Sequence, residues 1–310
     1  MFGLTPLGVR ARQALVALRG AEHVPPSRFD RSSLRMLQPR ISLALWAGRF
    51  PVPRKAIVTI LFNHRQTPVE EGWSVRRTQV LDFRGKDLTY DSHNGTDFAI
   101  PIGTPVTAPA PARVVRVYGE FNRGGTKIQL DHGDGLMTTS GHLARALVRE
   151  GDVVRRGQVI ALSGYSGLDG FATFPWGVPH VHFNVWLNGI PVDPFARITQ
   201  GTPEPSLWLG GAPQPAAEGA DLEGLPATAF DDAAVRDVIE SCRSEETRRR
   251  LLALADPQVR GAHLVSEMNY YPTRFASTKS VYFTQFPRAP RLTMPFRPYE
   301  VDGFVFGDER

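Results

Sequence analysis

VTAPAPARVVRVY at residues 106–118, TKIQLDHGDG at 126–135 and GDVVRRGQVIALSG at 151–164 share one pattern: short runs rich in β-branched residues, separated by Gly and Pro turns. Runs of that length and punctuation form strands joined by tight connections, so residues 88–198 are expected to be an antiparallel all-β unit. PHVHFNV at 179–185 sharpens the expectation. Side chains i and i+2 of a strand leave the same face, so His180 and His182 project together. Val181, Phe183 and Val185 then point the other way, into a core.

Outward from this unit the pattern changes. Upstream, residues 11–19 suit a short amphipathic helix, and Pro25, Pro26 and Pro39 punctuate a basic segment. Strand-like runs follow at Ile41 to Trp46 and Ala56 to Phe62, so 1–87 reads as an N-terminal extension that is β-rich after about residue 40. Downstream, 199–224 is rich in Gly, Pro and Ala without periodicity and reads as a linker or wrapping loop. Residues 225–310 read as a helical, then β-rich, addition. Helix is expected from Asp231 to Asp256, capped by Asp231 or Asp232, with Val235, Val238, Ile239 and Cys242 on one face. The alternating SVYFTQF (280–286) and the VDGFVF run (301–306) are expected to return two strands to the N-terminal extension.

The 310 residues carry a formal charge of +5 that rests on 32 Arg against 4 Lys, which favours an anionic partner such as cell wall, nucleic acid or a membrane surface. Cys242 is the one cysteine, so an internal disulfide is excluded. Arg10, Arg12 and Arg19 interrupt the apolar positions of the first twenty residues, leaving no stretch of the ~7 to 15 apolar residues that a secretory signal needs. No run reaches transmembrane length. The expectation is a cytoplasmic protein, or one exported by a non-standard route.

Five of the eight histidines (His93, His132, His142, His180 and His182) fall inside the β unit. HNGTDFA at 93–99 places a turn signal, Asn94-Gly95, between His93 and Asp97, and Asp97 opens the apolar strand FAIPI. One carboxylate and two imidazoles make a nitrogen-and-oxygen shell that leaves a fourth tetrahedral position open, the pattern of a catalytic zinc. A four-cysteine structural site is excluded by composition. SGHLA at 140–144 adds His142, a weak signal alone, and His132 in DHGDG reads as a turn-stabilising residue.

These motifs, in the order HNGTDFAIPIGTPVTAPAPARVV, IQLDHGDG, GHL, GDVVRRGQVIALSG, HVHF and NGIPVDP, resemble the lysostaphin-type, or LytM-type, zinc metallopeptidases that cut peptide cross-bridges of bacterial peptidoglycan. The resemblance covers about His93 to Pro194. It implies a mainly β, barrel-sandwich-hybrid-like catalytic domain, Zn2+ held by His93, Asp97 and His182, and His142 and His180 acting on water and on the transition state. Which of the two histidines is the general base stays open. The partner implied is a peptide or peptidoglycan, rather than nucleic acid. Two departures stand out: Ser140-Gly141 replaces a frequent tyrosine, and Asn184 a frequent glutamate. The segment LDGFATFPWGV (168–178) is longer and more aromatic than the family's, and is expected either to line the substrate groove or to pack against the flanking domain.

Two other readings are weighed. A non-catalytic binding or regulatory module of the same fold would keep the core without the chemistry, yet all five site positions are filled. A biotinyl- or lipoyl-carrier domain would need an exposed lysine at a hairpin tip, and only Lys127 lies in the β unit.

Overall fold

The computed structural model describes residues 1–199, 202–219, 225–226 and 228–309. Its strands are β1 (Lys55–Ile60), β2 (Thr96–Ala99), β3 (Pro105–Thr107), β4 (Ala112–Glu120), β5 (Gly125–Asp131), β6 (Leu136–Ala146) and β7 (Val153–Val154). Then come β8 (Val159–Ser163), β9 (His180–Leu187), β10 (Ile190–Pro191), β11 (Arg197–Thr199), β12 (Thr202–Glu204) and β13 (Gly303–Phe306). The helices are α1 (Leu7–Arg19), α2 (Pro39–Trp46), α3 (Leu168–Thr173), α4 (Asp232–Glu240), α5 (Glu245–Leu252) and α6 (Pro257–Tyr270).

Eleven strands join in one sheet along the path β13-β1-β2-β9-β6-β5-β4-β7, with β8 beside β6 and β3, and β10 beside β9. The fold is mainly β, as the alternating runs predict, but the sheet is mixed and not a closed barrel. β13 runs parallel to β1, whereas the other pairs are antiparallel. β9 is the middle of the arrangement that matters. It pairs with β2 through Asp97↔His182 and with β6 through Gly141↔His182, which sets the chemistry-bearing residues side by side. Its other face sends Val181, Phe183 and Val185 into the main core beside Phe98, Leu130 and Trp208, as the alternation requires.

The N-terminal extension differs from expectation. Ile41 to Trp46 is α2, not a strand. Its apolar residues alternate as a strand's do, but Pro39 sits at the first helical position, and burial of Ile41, Ser42 and Leu45 follows a helical spacing. Ile41 and Leu45 pack on Ile57, Ala99 and Val178, and that tertiary contact overrides the local alternation. The β-rich character expected after residue 40 is confined, within this extension, to β1. Of the two expected returning strands, VDGFVF supplies β13, in register from Lys55↔Gly303 to Val58↔Phe306. SVYFTQF makes only the isolated pairing Phe230↔Tyr282, because Tyr282 stacks on Phe230 with ring centroids 4.9 Å apart and leaves Phe283 in solvent.

The expected helix from Asp231 to Asp256 is broken into α4 and α5, and α6 follows it. Each break has a capping residue that the sequence carries: Ser244 accepts from Thr247 N, and Asp256, with Pro257 behind it, accepts from Gln258 N and Val259 N. Asp231 caps α4 by accepting from the backbone N–H of Ala233 and Ala234 at 3.0 and 3.1 Å. Asp231→Ala is therefore expected to lower stability by about 1 kcal/mol in urea unfolding, with the denaturant slope unchanged. Within the stretch read as a linker, residues 200–201 and 220–224 lie outside the described residues. The part between wraps rather than dangles, since Leu207 and Trp208 are fully buried in the main core. Among the described residues, no helix is long and apolar enough to cross a membrane.

Candidate metal centre and active site

The centre is assembled by two neighbouring strands and one turn. His93 precedes the turn into β2, Asp97 lies on β2, and His182 lies opposite Asp97 on β9. Their donor atoms converge: His182 Nδ1 is 2.7 Å from Asp97 Oδ1, and His93 Nε2 is 3.1 Å from the same oxygen and 3.2 Å from His182 Nδ1. All three donors lie within 4.8 Å of one another. His93 Nδ1 donates to the Leu61 carbonyl at 2.7 Å, which fixes the ring and leaves the Nε2 lone pair facing the cluster. Two imidazoles and a carboxylate, three of the four positions of a tetrahedral shell, are a donor set that suits a metal.

Gly95 makes this approach feasible. A Cβ there would meet the His182 ring at 2.9 Å and the Phe183 carbonyl at 2.9 Å, so only glycine lets the turn lie against His182. Asn184, standing where the resembled family often has glutamate, secures the same turn. Its amide donates to the Asn94 carbonyl and to Asn94 Oδ1, at 2.9 and 2.8 Å, and its own Oδ1 accepts from Tyr270 Oη at 2.9 Å.

His180 and His142 stand beside the cluster, their rings 4.6 Å apart between centroids. His180 Nδ1 donates to the Val178 carbonyl at 2.7 Å, leaving Nε2 facing Asp97 Oδ2 at 3.5 Å. His142 Nδ1 donates to the Ser166 carbonyl at 2.8 Å, with Nε2 3.3 Å from Asp169 Oδ2. His142 has φ +57°, in the left-handed region that side chains disfavour, and the β6 register shifts just beyond it. That local distortion turns its ring toward His180.

Burial shapes the electrostatics. It pushes His180 and His182 below the ordinary histidine range, against the pull of Asp97, and so favours their neutral, lone-pair-bearing forms. Burial would raise the Asp97 carboxyl, but His180, His93 and His182 outweigh it and hold the group well below the usual carboxylate range. For Asp97 and His182 these directions favour the forms that donate to a metal.

His132 does not join the cluster. It bonds to the Pro111 carbonyl at 3.0 Å and to Thr138 Oγ1 at 2.9 Å, the turn-stabilising duty its sequence context suggests, and burial lowers its pKa to about 3. His263 on α6 is likewise lowered by burial, to about 4. In the unfolded chain both would take up a proton near pH 6.5, and in the fold only far lower. Stability should therefore be full above pH 6.5 and fall as pH drops toward 4, each group adding up to about 1.4 kcal/mol per pH unit. Urea titrations between pH 7 and 4.5 should show that slope, reduced by one proton's worth in His263→Gln.

Two residues near the histidines had no assigned role in the sequence reading. Tyr165 lies between them and the N-terminal extension, 5.4 Å from His142, 5.0 Å from His180 and 6.1 Å from Trp46, all between ring centroids. Asp169 opens α3 and reaches His142. Only the SGYSG turn that carries Tyr165 could have drawn notice. The rings of the aromatic insertion do not contact a site histidine among the described residues. Phe171 meets Phe2 and Phe121, and Phe174 meets Phe2 and Trp46, so the insertion packs on the extension while Phe171, Phe174 and Trp176 stay half exposed.

The part of the chain that holds this centre is similar to known proteins. Residues 91–194 match the model of Peptidase family M23. A metalloprotease of Haemophilus influenzae, uncharacterised by name, is 33% identical over 156 residues, covering 50% of this chain and 28% of its own. The peptidoglycan DD-endopeptidase ShyB of Vibrio cholerae is 40% identical over 102 residues, covering 33% and 22%. The solved catalytic domain of the antimicrobial peptidase lysostaphin from Staphylococcus simulans is 34% identical over 31% of this chain and 67% of that one, with a TM-score of 0.27. The chain spans only about a quarter of the length of these two curated relatives. Residues 91–194, which hold all five site positions, are thus the part of the chain that matches Peptidase family M23, and over that part the chain is similar to peptidoglycan DD-endopeptidases and to lysostaphin.

Proposed function

We propose that this chain is a zinc-dependent endopeptidase that hydrolyses peptide bonds of peptidoglycan, in cross-bridges or stem peptides. The observation that carries the reading is the convergence of His93, Asp97 and His182, with His180 reaching Asp97 and His142 packed against His180 beside them. His93 Nε2, Asp97 Oδ1 and His182 Nδ1 would hold the metal. When bound, zinc supplies Lewis acidity, which polarises a scissile carbonyl and acidifies water.

The remaining chemistry belongs to the chain. His180 and His142, each with Nδ1 committed to a backbone carbonyl, have their Nε2 atoms left for proton transfer beside the cluster. One of the pair takes the proton of the attacking water, and the other, protonated, donates to the developing oxyanion or to the leaving amine. Asp169 can stabilise the protonated form of His142. The absence of an HExxH helix in the sequence leaves no glutamate base of that class. The names of relatives such as ShyB support peptidoglycan as the substrate.

The test is digestion of purified sacculi and of short peptides by the zinc-loaded protein, with fragments identified by mass. About one zinc per chain is expected by elemental analysis, and a chelator should remove both metal and activity. Full peptidase activity in metal-free protein would exclude the proposal. The carrier-domain alternative fails on geometry, because Lys127 is fully buried, with Nζ 2.7 Å from Glu120 Oε2, and cannot accept a prosthetic group.

A further inference from the structure

Residues 1–49 hold eight arginines against Glu22 and Asp30, a net +6 in a chain whose total is +5. The positive excess of the whole protein therefore resides in this one segment. Six of these arginines, Arg12, Arg19, Arg31, Arg35, Arg40 and Arg49, are exposed and make no ion pair among the described residues. The same segment is where apolar surface is left uncovered. Of the seventeen large apolar side chains exposed among the described residues, eleven lie in residues 1–49 or in the insertion 168–178 that packs on it.

α1 concentrates both features, although Ala17 is buried and Val16 packs on the core. Its inner face is held by polar bonds: Arg10 donates to the Gly119 carbonyl at 2.8 Å, and Gln13 Oε1 accepts from Phe121 N at 2.8 Å. Its outer face carries Leu7, Ala11, Leu15 and Leu18, spaced four, four and three apart and therefore on one stripe, with Leu7 70% and Leu18 59% exposed. Arg12 and Arg19, seven apart, flank that stripe. On the inner side of α1 the buried Phe121 meets Phe171, and Phe2 links Phe171 to Phe174, so the half-exposed insertion packs beside the same segment.

We propose that this face docks on an anionic lipid surface, with α1 lying in the interface: leucines among the acyl-chain ends and arginines on the headgroup phosphates. Charge complementarity selects the occupant. A stripe of leucines rimmed by unpaired arginines, with no acidic residue in α1, matches what an interfacial helix presents to anionic lipid. Among the described residues no helix is long and apolar enough to cross a membrane, and the attachment proposed is through the face of α1 alone. The inference is independent of the enzymatic assignment.

The experiment is co-sedimentation of the full chain with vesicles of phosphatidylcholine and phosphatidylglycerol, 7:3, against pure phosphatidylcholine. Binding to the anionic vesicles should be at least tenfold tighter, and should weaken by tenfold or more when NaCl rises from 0.05 to 0.5 M, a measurement that needs no variant. Arg12→Ala with Arg19→Ala should cost about fivefold per arginine. Leu15→Glu with Leu18→Glu should cost at least tenfold, while Leu147→Glu with Val153→Glu, exposed apolar residues elsewhere, should cost nothing. Equal binding to both vesicle types, or α1 variants that bind as wild type, would overturn the proposal. So would pelleting with purified sacculi but not vesicles, or a homodimer in sedimentation velocity that the leucine pair dissolves without any effect on lipid.

Discussion

His182→Ala should strip the centre of its metal and abolish turnover together, whereas His180→Ala, two residues away on the same face of β9, should keep the metal. The difference follows from the donor atoms. His182 Nδ1 is one of the three atoms that converge with Asp97 Oδ1 and His93 Nε2, and its loss leaves two protein ligands, too few for tight binding. His180 Nε2 faces the far oxygen of Asp97 at 3.5 Å and lies outside that trio. Removing it should lower kcat by about two to four orders of magnitude with KM little changed, the usual cost of losing a positioned proton-transfer group. His142→Ala should behave like His180→Ala. Elemental analysis after dialysis, with turnover on the best substrate, checks all three. Metal retained by His182→Ala and lost by His180→Ala would reverse the assignment, and activity retained by all three would remove the catalytic site.

Lys127→Met should destabilise the fold by about 3–5 kcal/mol. Lys127 is fully buried, its ammonium donating to Glu120 Oε2 and to the Arg123 carbonyl, both at 2.7 Å, and lying 3.8 Å from the Tyr270 ring centroid. Truncating one partner of such a pair strands the other charge away from water, and that stranding is the larger part of the loss. Adding Glu120→Gln to Lys127→Met should therefore recover much of the stability. Urea unfolding of the single and double variants measures both. A single-variant loss below 1 kcal/mol would mean that Glu120 finds water once Lys127 is gone. The effect should extend to the C-terminal addition, since Tyr270 belongs to α6, and Arg116 of β4 reaches Glu267 of the same helix at 3.1 Å.

The sequence was legible where one rule governed one strand. Alternation in PHVHFNV separates the histidine face from the core face, and both are found as read. HNGTD shows its turn and its two polar residues, although not the close approach that requires Gly95 to lie on the His182 ring. His142 was faint because it departs from strand geometry: at φ +57° its direction cannot be obtained by counting along β6. Asn184 looked like a departure, yet it pins the Asn94 turn, a contact between residues ninety apart that no local pattern records. Tyr165 and Asp169 were hidden for the same reason. In the N-terminal extension, Ile41 to Trp46 satisfied a strand's alternation and still became helix, since Pro39 starts a turn there and Ile57, Ala99 and Val178 offer a surface that a helix fills.

The parallel pairing of β13 with β1 bears on how the protein can be divided. Asp97 lies on β2, and β2 is shielded on one side by β9 and on the other by β1, which is shielded in turn by the last strand of the chain. A fragment trimmed to residues 88–198 would lose both outer strands and turn the Asp97 strand into a bare margin of the sheet, with open N–H and C=O groups ready to recruit a neighbouring molecule. Proteolytic loss of residues 303–306 alone would bare β1, the neighbour of the Asp97 strand. The integrity of the metal centre thus depends on segments nearly 250 residues apart in the chain, and a nick at residue 300 would be felt at Asp97.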